Sequence, residues 1–458
     1  MKLLLNHLSP SGLVGLPIHE TLRVVVGSSA EEWARTDQDV SQHAFRSELT
    51  AWAERTQTTL TGFWILLALW GDSAPNSKKD SVFLLSFRAL SGACRRRFWI
   101  TTMSKRFLCR CGCFGRCTFN AVFSVIAWSM QALAAGRWPS VDHLKNPLKG
   151  WRARKAGEPF DFHSAIIAKC ADWAWHKQVL AMRSWQMTFC CWLCEARLGD
   201  REFSLNAIWR HTVRSHSAWL IEMMSGFTST IFDIPGFSIE YVKVDWMHTV
   251  CLGALQYVCG NVMWELFVVV GGTMNKHLAA CSILKNMAEL QARQLGLEMP
   301  FVSLTVLMFR SSMKKKPTMK LKAAEGRRFL PVLTAIIQEY FPPSNDYERT
   351  RLSCLQALCR CYGEMRNWTV DSPLKLELAC RQHLLLYVQL SDATPDDQYK
   401  VYPKHHLMVH CCTAVNPALL WNYADEDEIG RCAAMAGKTN VQWLHLYLIE
   451  RYRIGFKL

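Results

Sequence analysis

The chain has no glycine-rich phosphate loop, and no Ser-His-Asp or Cys-His pairing of nucleophile and base stands out. Nucleotide hydrolysis on a P-loop and acyl transfer through an activated serine or thiol therefore lack their usual residues. There is no internal repeat, which sets aside solenoid architectures, and no low-complexity tract. Acidic residues are in short supply. Lys+Arg outnumber Asp+Glu by 53 to 38, for a net charge of +15 and a pI near 9.1, a balance that favours a polyanionic partner such as nucleic acid. No charged stretch followed by a cleavable apolar segment opens the sequence. Its nineteen cysteines, an odd number spread over 458 residues, are therefore expected as reduced thiols in an intracellular compartment. Of the apolar runs, "LTGFWILLALWG" is too short to span a bilayer. "CLGALQYVCGNVMWELFVVVGG" is long enough but carries Gln256, Asn261 and Glu265, so a buried helix running into a strand is expected, and no membrane partner.

Half of the residues are apolar, enough to bury a sizeable core in two or three domains. Residues 1–59 read as a helical packing segment, with Trp33, Val40, Phe45, Leu49 and Trp52 at helical spacing. From Leu60 the pattern changes. "LTGFWILLALWGDS" suits a buried strand that stops in a turn at Gly71-Asp72, and "SVFLLSFRAL" and "RFWITTM" read as two further strands. "NAVFSVIAWSMQALAAG" reads as an apolar helix closed by Gly136. After a basic, turn-rich loop around Lys145–Lys155, a short strand, Ala165 to Ala171, delivers Asp172. The content is then largely helical from Cys190 to about Tyr399, and the last sixty residues carry "YPKHHLMVH", "WNYADEDEIGR" and a final helix. Strands first and helices later make an α+β fold.

Four groups of residues could carry chemistry. Asp72 and Asp172 stand at strand ends and an acidic cluster, Glu426 to Glu428, on a helix; carboxylates from such places supply the hard oxygen ligands that a pair of divalent cations needs for phosphoryl transfer. "CCWLC" offers Cys191 and Cys194 at C-x-x-C spacing, and "RHTVRSH" offers His211 and His216, together resembling a two-Cys, two-His zinc site with a long central loop. In "YPKHHLMVH", His406 and His410 share one helical face, a spacing able to bind metal, although core histidines are the commoner outcome. "CRCGCFGRC" fits no standard zinc spacing and reads as a basic, partly exposed loop. The basic runs Arg95–Arg97, Arg152–Lys155 and Lys314–Lys322 with Arg327 and Arg328 form a candidate path for a phosphate backbone.

The order of these motifs resembles the cut-and-paste transposases of the CACTA (En/Spm-like) group: a strand ending "GDS", a second strand-end aspartate followed by "CWLC", a downstream "DWMH" and a late "WNYADEDEIGR". "IPGFSIEYVKVDWMHTVCLGALQYVCGN" and "YPKHHLMVH" are similar to the transposase-like proteins abundant in dinoflagellate genomes. The resemblance implies a ribonuclease-H-like mixed-sheet core interrupted by a large helical insertion. The first part of that core would span 60–189, the insertion with its zinc site 190–400, and the C-terminal part with the third acid 401–458. It implies a DDE triad of Asp72, Asp172 and Glu426 with two magnesium ions, Glu428 being the fallback for the third position, and DNA cleavage and strand transfer in the nucleus. Apart from the resemblance, a homo-oligomer is a further expected partnership. The resemblance also places Asp245 and His248 inside the insertion as a structural hydrogen-bonded pair, with Asp245 as second catalytic acid the alternative. "CRCGCFGRC" departs from the family pattern, and a non-catalytic DNA-binding remnant is the alternative to an active enzyme.

Overall fold

The computed structural model describes residues 17–27, 41–78, 80–90, 97–224, 229–394, 398–438 and 447–448. They form two units. One holds the described residues up to Met182, with Ser215–Lys243 and those from Ala424 on; the other is Arg183–Arg214 and Val244–Tyr423.

In the first unit the N-terminal helices are α1 (Ile18–Gly27) and α2 (Ser41–Thr56). Phe45 and Trp52 are buried as their spacing predicts, and the Trp52 indole N–H donates to the Pro235 carbonyl at 2.6 Å. This segment is therefore part of the unit's body; Trp33 and Val40 lie outside the described residues. The sheet has four strands, β1 (Trp64–Ser77), β2 (Asp80–Ala89), β3 (Arg97–Ser104) and β4 (His163–Cys170), in the order β3-β2-β1-β4. The first three form an antiparallel meander, and β4 runs parallel to β1. A parallel neighbour needs a crossover connection. The chain supplies helix α3 (Arg116–Ala135), which buries Phe119, Phe123, Ile126, Met130 and Leu133, and the short α4 (Gly150–Lys155). Helix α3 stops at Gly136, whose φ of 66° only glycine adopts without strain and whose N–H returns to the Ala132 and Leu133 carbonyls.

Strand β1 does not turn at Gly71-Asp72 as expected from the sequence. It continues to Ser77 because β2 pairs with it throughout, Asp72 opposite Leu84 and Ala74 opposite Val82. A ladder against an apolar partner strand outweighs the local turn preference of Gly-Asp. Asp72 is consequently a mid-strand residue with 7% exposure. Strand β4 leads into α5 (Trp173–Leu180), and the two elements are joined at Asp172. At Gly71 an added Cβ would fall 2.5 Å from the Trp175 ring, so glycine there lets α5 close onto β1. Helix α6 (His216–Met224) and nearly all of the acidic helix Tyr423–Ala436 complete the unit.

The second unit opens with an irregular segment and continues as helices. A π-helical turn, Met247–Ala254, runs into α7 (Leu255–Val269), followed by α8 (Leu278–Gln294), α9 (Val306–Phe309), α10 (Ala323–Tyr340), α11 (Asp346–Arg366), α12 (Ser372–Ala393) and α13 (Pro403–His410). Met247–Val269 is helical to its end, with no strand where one was expected. Gln256, Asn261 and Glu265 are satisfied inside the unit: the Gln256 amide donates to Leu321 O at 2.8 Å, Asn261 accepts from Tyr399 N at 3.0 Å, and Glu265 pairs with Arg351 at 2.9 Å. By length and composition Met247–Val269 and α3 are apolar enough to cross a membrane, but 67% of the most apolar stretch of the former is buried in the fold. Helix α13 belongs to this unit, which extends to Tyr423. Residues 215–243 belong to the first unit.

Candidate metal centres

The acid site is built by the register of two parallel strands. The last β1–β4 pair is Trp70 with Cys170, and Asp72 and Asp172 each stand two residues further on, Asp72 within β1 and Asp172 just past the carboxyl end of β4. Asp172 caps α5, its Oδ1 accepting from Trp175 N at 2.6 Å. Its backbone is therefore held by the helix start. The acidic helix Tyr423–Ala436 is held against β3. Asp425 is buried and paired with Arg97 of β3, Nε to Oδ1 2.8 Å, and Glu428 accepts from the Trp99 indole at 3.3 Å and pairs with Arg431. Those two contacts fix the helix rotation, and Glu426 then faces β1, with a carboxylate oxygen within 4.8 Å of one on Asp72. Of the three expected acids the structure brings Asp72 and Glu426 together, and it sets Asp172 on the neighbouring strand end.

A lysine that the sequence did not single out completes the site. Lys169, on β4, is fully buried; its ammonium donates to the Cys170 carbonyl at 2.7 Å and lies 3.7 Å from the centre of the Trp175 ring. Burial pushes its pKa down to about 7, against the pull of Cys170, Asp72, Asp172 and Asp425. No local sequence pattern marks it, because "AIIAKC" reads as continuous strand.

The second centre lies in the helical unit. Residues 188–198 form a narrow ribbon, Cys190 N–H to Ala196 O 3.1 Å and Leu198 N–H to Thr188 O 2.7 Å, with Cys191 and Cys194 at its tip. The Leu193 N–H points at Cys191 Sγ at 3.3 Å, a donor that favours thiolate. Facing them are His406 and His410, four residues apart on α13. Cys194 Sγ lies 3.2 Å from His406 Nε2 and 3.5 Å from His410 Nε2, and the two Nε2 atoms are 3.0 Å apart. All four ligand atoms lie within 4.8 Å of one another. Zn–S bonds of about 2.3 Å and Zn–N bonds of about 2.0–2.1 Å make a tetrahedron with edges of about 3.3–3.8 Å, close to these separations. The two cysteines are buried, and Trp209 closes the site edge-on, its ring centre 4.6 Å from that of His406.

Electrostatics suit a cation at this point. The Cys194 thiol is pulled down to about 2 by the hydrogen bond from Cys191, against burial, with both imidazoles adding to the pull. Cys191 is pushed up by burial and then by Cys194. Burial also lowers His406, which keeps its imidazole neutral and able to ligate.

The histidines that meet the cysteines are therefore not the pair expected from "RHTVRSH". His211 is exposed on a 3₁₀ turn outside this cluster, and His216 belongs to the first unit, where its Nδ1 accepts from Ile239 N at 3.2 Å. Asp245 and His248 do pair: Nδ1 to Oδ2 is 2.6 Å, while Asp245 also accepts from the N–H groups of His248 at 3.0 Å and Met247 at 3.3 Å. Asp245 thus caps the π-helical turn and belongs to the helical unit. Several basic residues expected on a phosphate path are engaged within the fold: Arg97 with Asp425, Arg152 with Glu20 at 2.6 Å, and Lys155 with Glu158 at 2.7 Å. Arg95 and Arg96 lie outside the described residues. Lys314, Lys315, Lys320 and Lys322 are exposed.

Comparison with protein-family models and with curated proteins gave no match.

Proposed function

We propose that the chain is derived from a DDE transposase of the CACTA type and that its first unit is the metal-dependent DNA-cleaving core, active in the nucleus. The observation that carries this reading is the proximity of the Asp72 and Glu426 carboxylates, within 4.8 Å, beside the strand end that presents Asp172. The order β3-β2-β1-β4, with an antiparallel meander and a parallel fourth strand, supports a ribonuclease-H-like core, and the separate helical unit supports the insertion. The three carboxylates offer the oxygen donors that magnesium prefers. When bound, a pair of such ions would supply charge to activate the attacking oxygen and to stabilise the departing one. The chain's own part is positional. Asp172 is held by its cap bond to Trp175, Glu426 by the Arg97–Asp425 pair one residue earlier, and Asp72 by its place in the ladder, so the acids are presented on rigid elements. In the helical unit, Cys191, Cys194, His406 and His410 would hold a structural zinc ion that ties the ribbon 188–198 to α13, and the exposed lysines 314–322 would contact DNA phosphates.

A second reading, the non-catalytic DNA-binding remnant, is favoured by Lys169. A buried ammonium among Asp72, Asp172 and Asp425 supplies part of the positive charge that metal ions otherwise bring. One experiment separates the two: nicking of supercoiled DNA by the full chain with and without Mg²⁺, beside DNA binding across a salt series. Mg²⁺-dependent nicking that Asp172→Asn abolishes supports the enzyme. Salt-sensitive binding with no nicking supports the remnant, and neither activity removes the transposase reading.

A further inference from the structure

The segment "CRCGCFGRC" was expected to be a basic loop. Its backbone instead coils tightly, with Gly112, Phe114 and Gly115 all in the left-handed region at φ of 91°, 56° and 86°. The Cys109 N–H is tied to Thr118 Oγ1 at 2.9 Å, joining the two ends of the loop. The outcome is that Cys109, Cys111, Cys113 and Cys117 turn their sulfurs to one place, all within 4.8 Å of one another, with Cys111 and Cys117 3.8 Å apart. A tetrahedron of Zn–S bonds of about 2.3 Å has edges of about 3.8 Å. Alternating cysteines look unsuitable only along an extended chain; three left-handed residues within four positions convert that spacing into a cup.

We propose that Cys109, Cys111, Cys113 and Cys117 form a tetrathiolate site for one thiophilic divalent ion of the zinc type. Four sulfur donors of this geometry favour zinc over hard cations such as magnesium. The local geometry favours a thiolate at Cys113. The Cys117 N–H, in the first turn of α3, points at Cys113 Sγ at 3.5 Å, where the partial positive charge of the helix start adds to the bond. Arg106, Arg110 and Arg116 flank the loop, and Arg116, anchored to Gln178 O at 3.1 Å, interacts electrostatically with Cys113. The ion would pin the β3–α3 connection and hold the start of α3, using residues of the first unit alone.

Zinc content of the full chain, produced in zinc-supplemented medium and purified under reducing conditions, tests this. Cys111→Ser/Cys113→Ser should carry one equivalent less zinc than the parent, and Cys191→Ser/Cys194→Ser should lower it separately. The first difference is read against the parent and holds whether or not the Cys/His site fills. Cys111, exposed, should also resist iodoacetamide in the zinc-loaded parent and react after chelation, a readout that does not require the variant to fold. Equal zinc in the parent and in Cys111→Ser/Cys113→Ser, or Cys111 alkylated at the same rate before and after chelation, would overturn the site.

Discussion

Arg97 on β3 grips Asp425 on the acidic helix with both ends of its guanidinium fork, Nε to Oδ1 at 2.8 Å and Nη2 to Oδ2 at 3.4 Å. The pair is largely desolvated, and it sets the helix rotation that turns the next residue, Glu426, toward Asp72. Removing Arg97 alone strands a buried carboxylate, which costs about 3–5 kcal/mol. Arg97→Leu is therefore expected to lose about that much in urea unfolding, and Arg97→Leu/Asp425→Leu to recover a substantial part. A double variant no more stable than the single one would contradict this role for the pair.

Asp172 caps α5, and the proposed function gives it a second duty at the acid site; a pair of substitutions separates the two. Asparagine caps a helix about as well as aspartate, whereas alanine costs about 0.5–2 kcal/mol. Asp172→Asn should keep the parent's unfolding midpoint while losing Mg²⁺-dependent nicking, and Asp172→Ala should lose both. Equal destabilisation by the two variants would show that the cap bond to Trp175 N contributes nothing.

Zinc at the Cys/His centre is expected to depend on α13 and not on the local histidines. Cys194→Ser and His406→Ala should each release one equivalent and lower the melting temperature, while His211→Ala leaves metal content unchanged. Release of zinc by His211→Ala would return the site to the local sequence pattern.

Buried histidines, His19, His383 and His405 among them, make acid destabilising; the first two illustrate it. His19 is held down to about 3 by burial and then by Arg152, and His383 to about 4 by burial. Both remain neutral in the folded chain while the unfolded chain takes up their protons near pH 6.5, so stability is full above about 6.5 and falls as pH drops toward the folded values. Each pH unit in that window removes up to about 1.4 kcal/mol per histidine. Urea unfolding at pH 7 and pH 5 measures it, and His19→Leu should flatten the dependence; a chain equally stable at both values would contradict the assignment.

The legible parts of this chain are those that local pattern determines. The apolar runs of β1, β2, β3 and β4 and the helix stop at Gly136 follow from periodicity and turn chemistry. So does the Cys191–Cys194 pair, whose ligands are close in sequence. The partners of that pair were not legible, since 212 residues separate Cys194 from His406 and only the fold brings α13 to the ribbon; the nearer "RHTVRSH" offered the same residue types. Periodicity alone gave no reason to carry Met247–Val269 through as helix, because a segment apolar on every side lacks a polar stripe. The resemblance already puts Glu426 ahead of Glu428; what no local pattern contains is the engagement of Glu428 by Trp99 and of Asp425 by Arg97.

The central claim is a carboxylate site made by Asp72, Asp172 and Glu426, and the most direct measurement compares nicking of supercoiled DNA in Mg²⁺ by the full chain, Glu426→Gln and Glu428→Gln. The account predicts that Glu426→Gln abolishes nicking while Glu428→Gln, which touches Trp99 and Arg431, retains it. Loss in Glu428→Gln with activity kept in Glu426→Gln would contradict it.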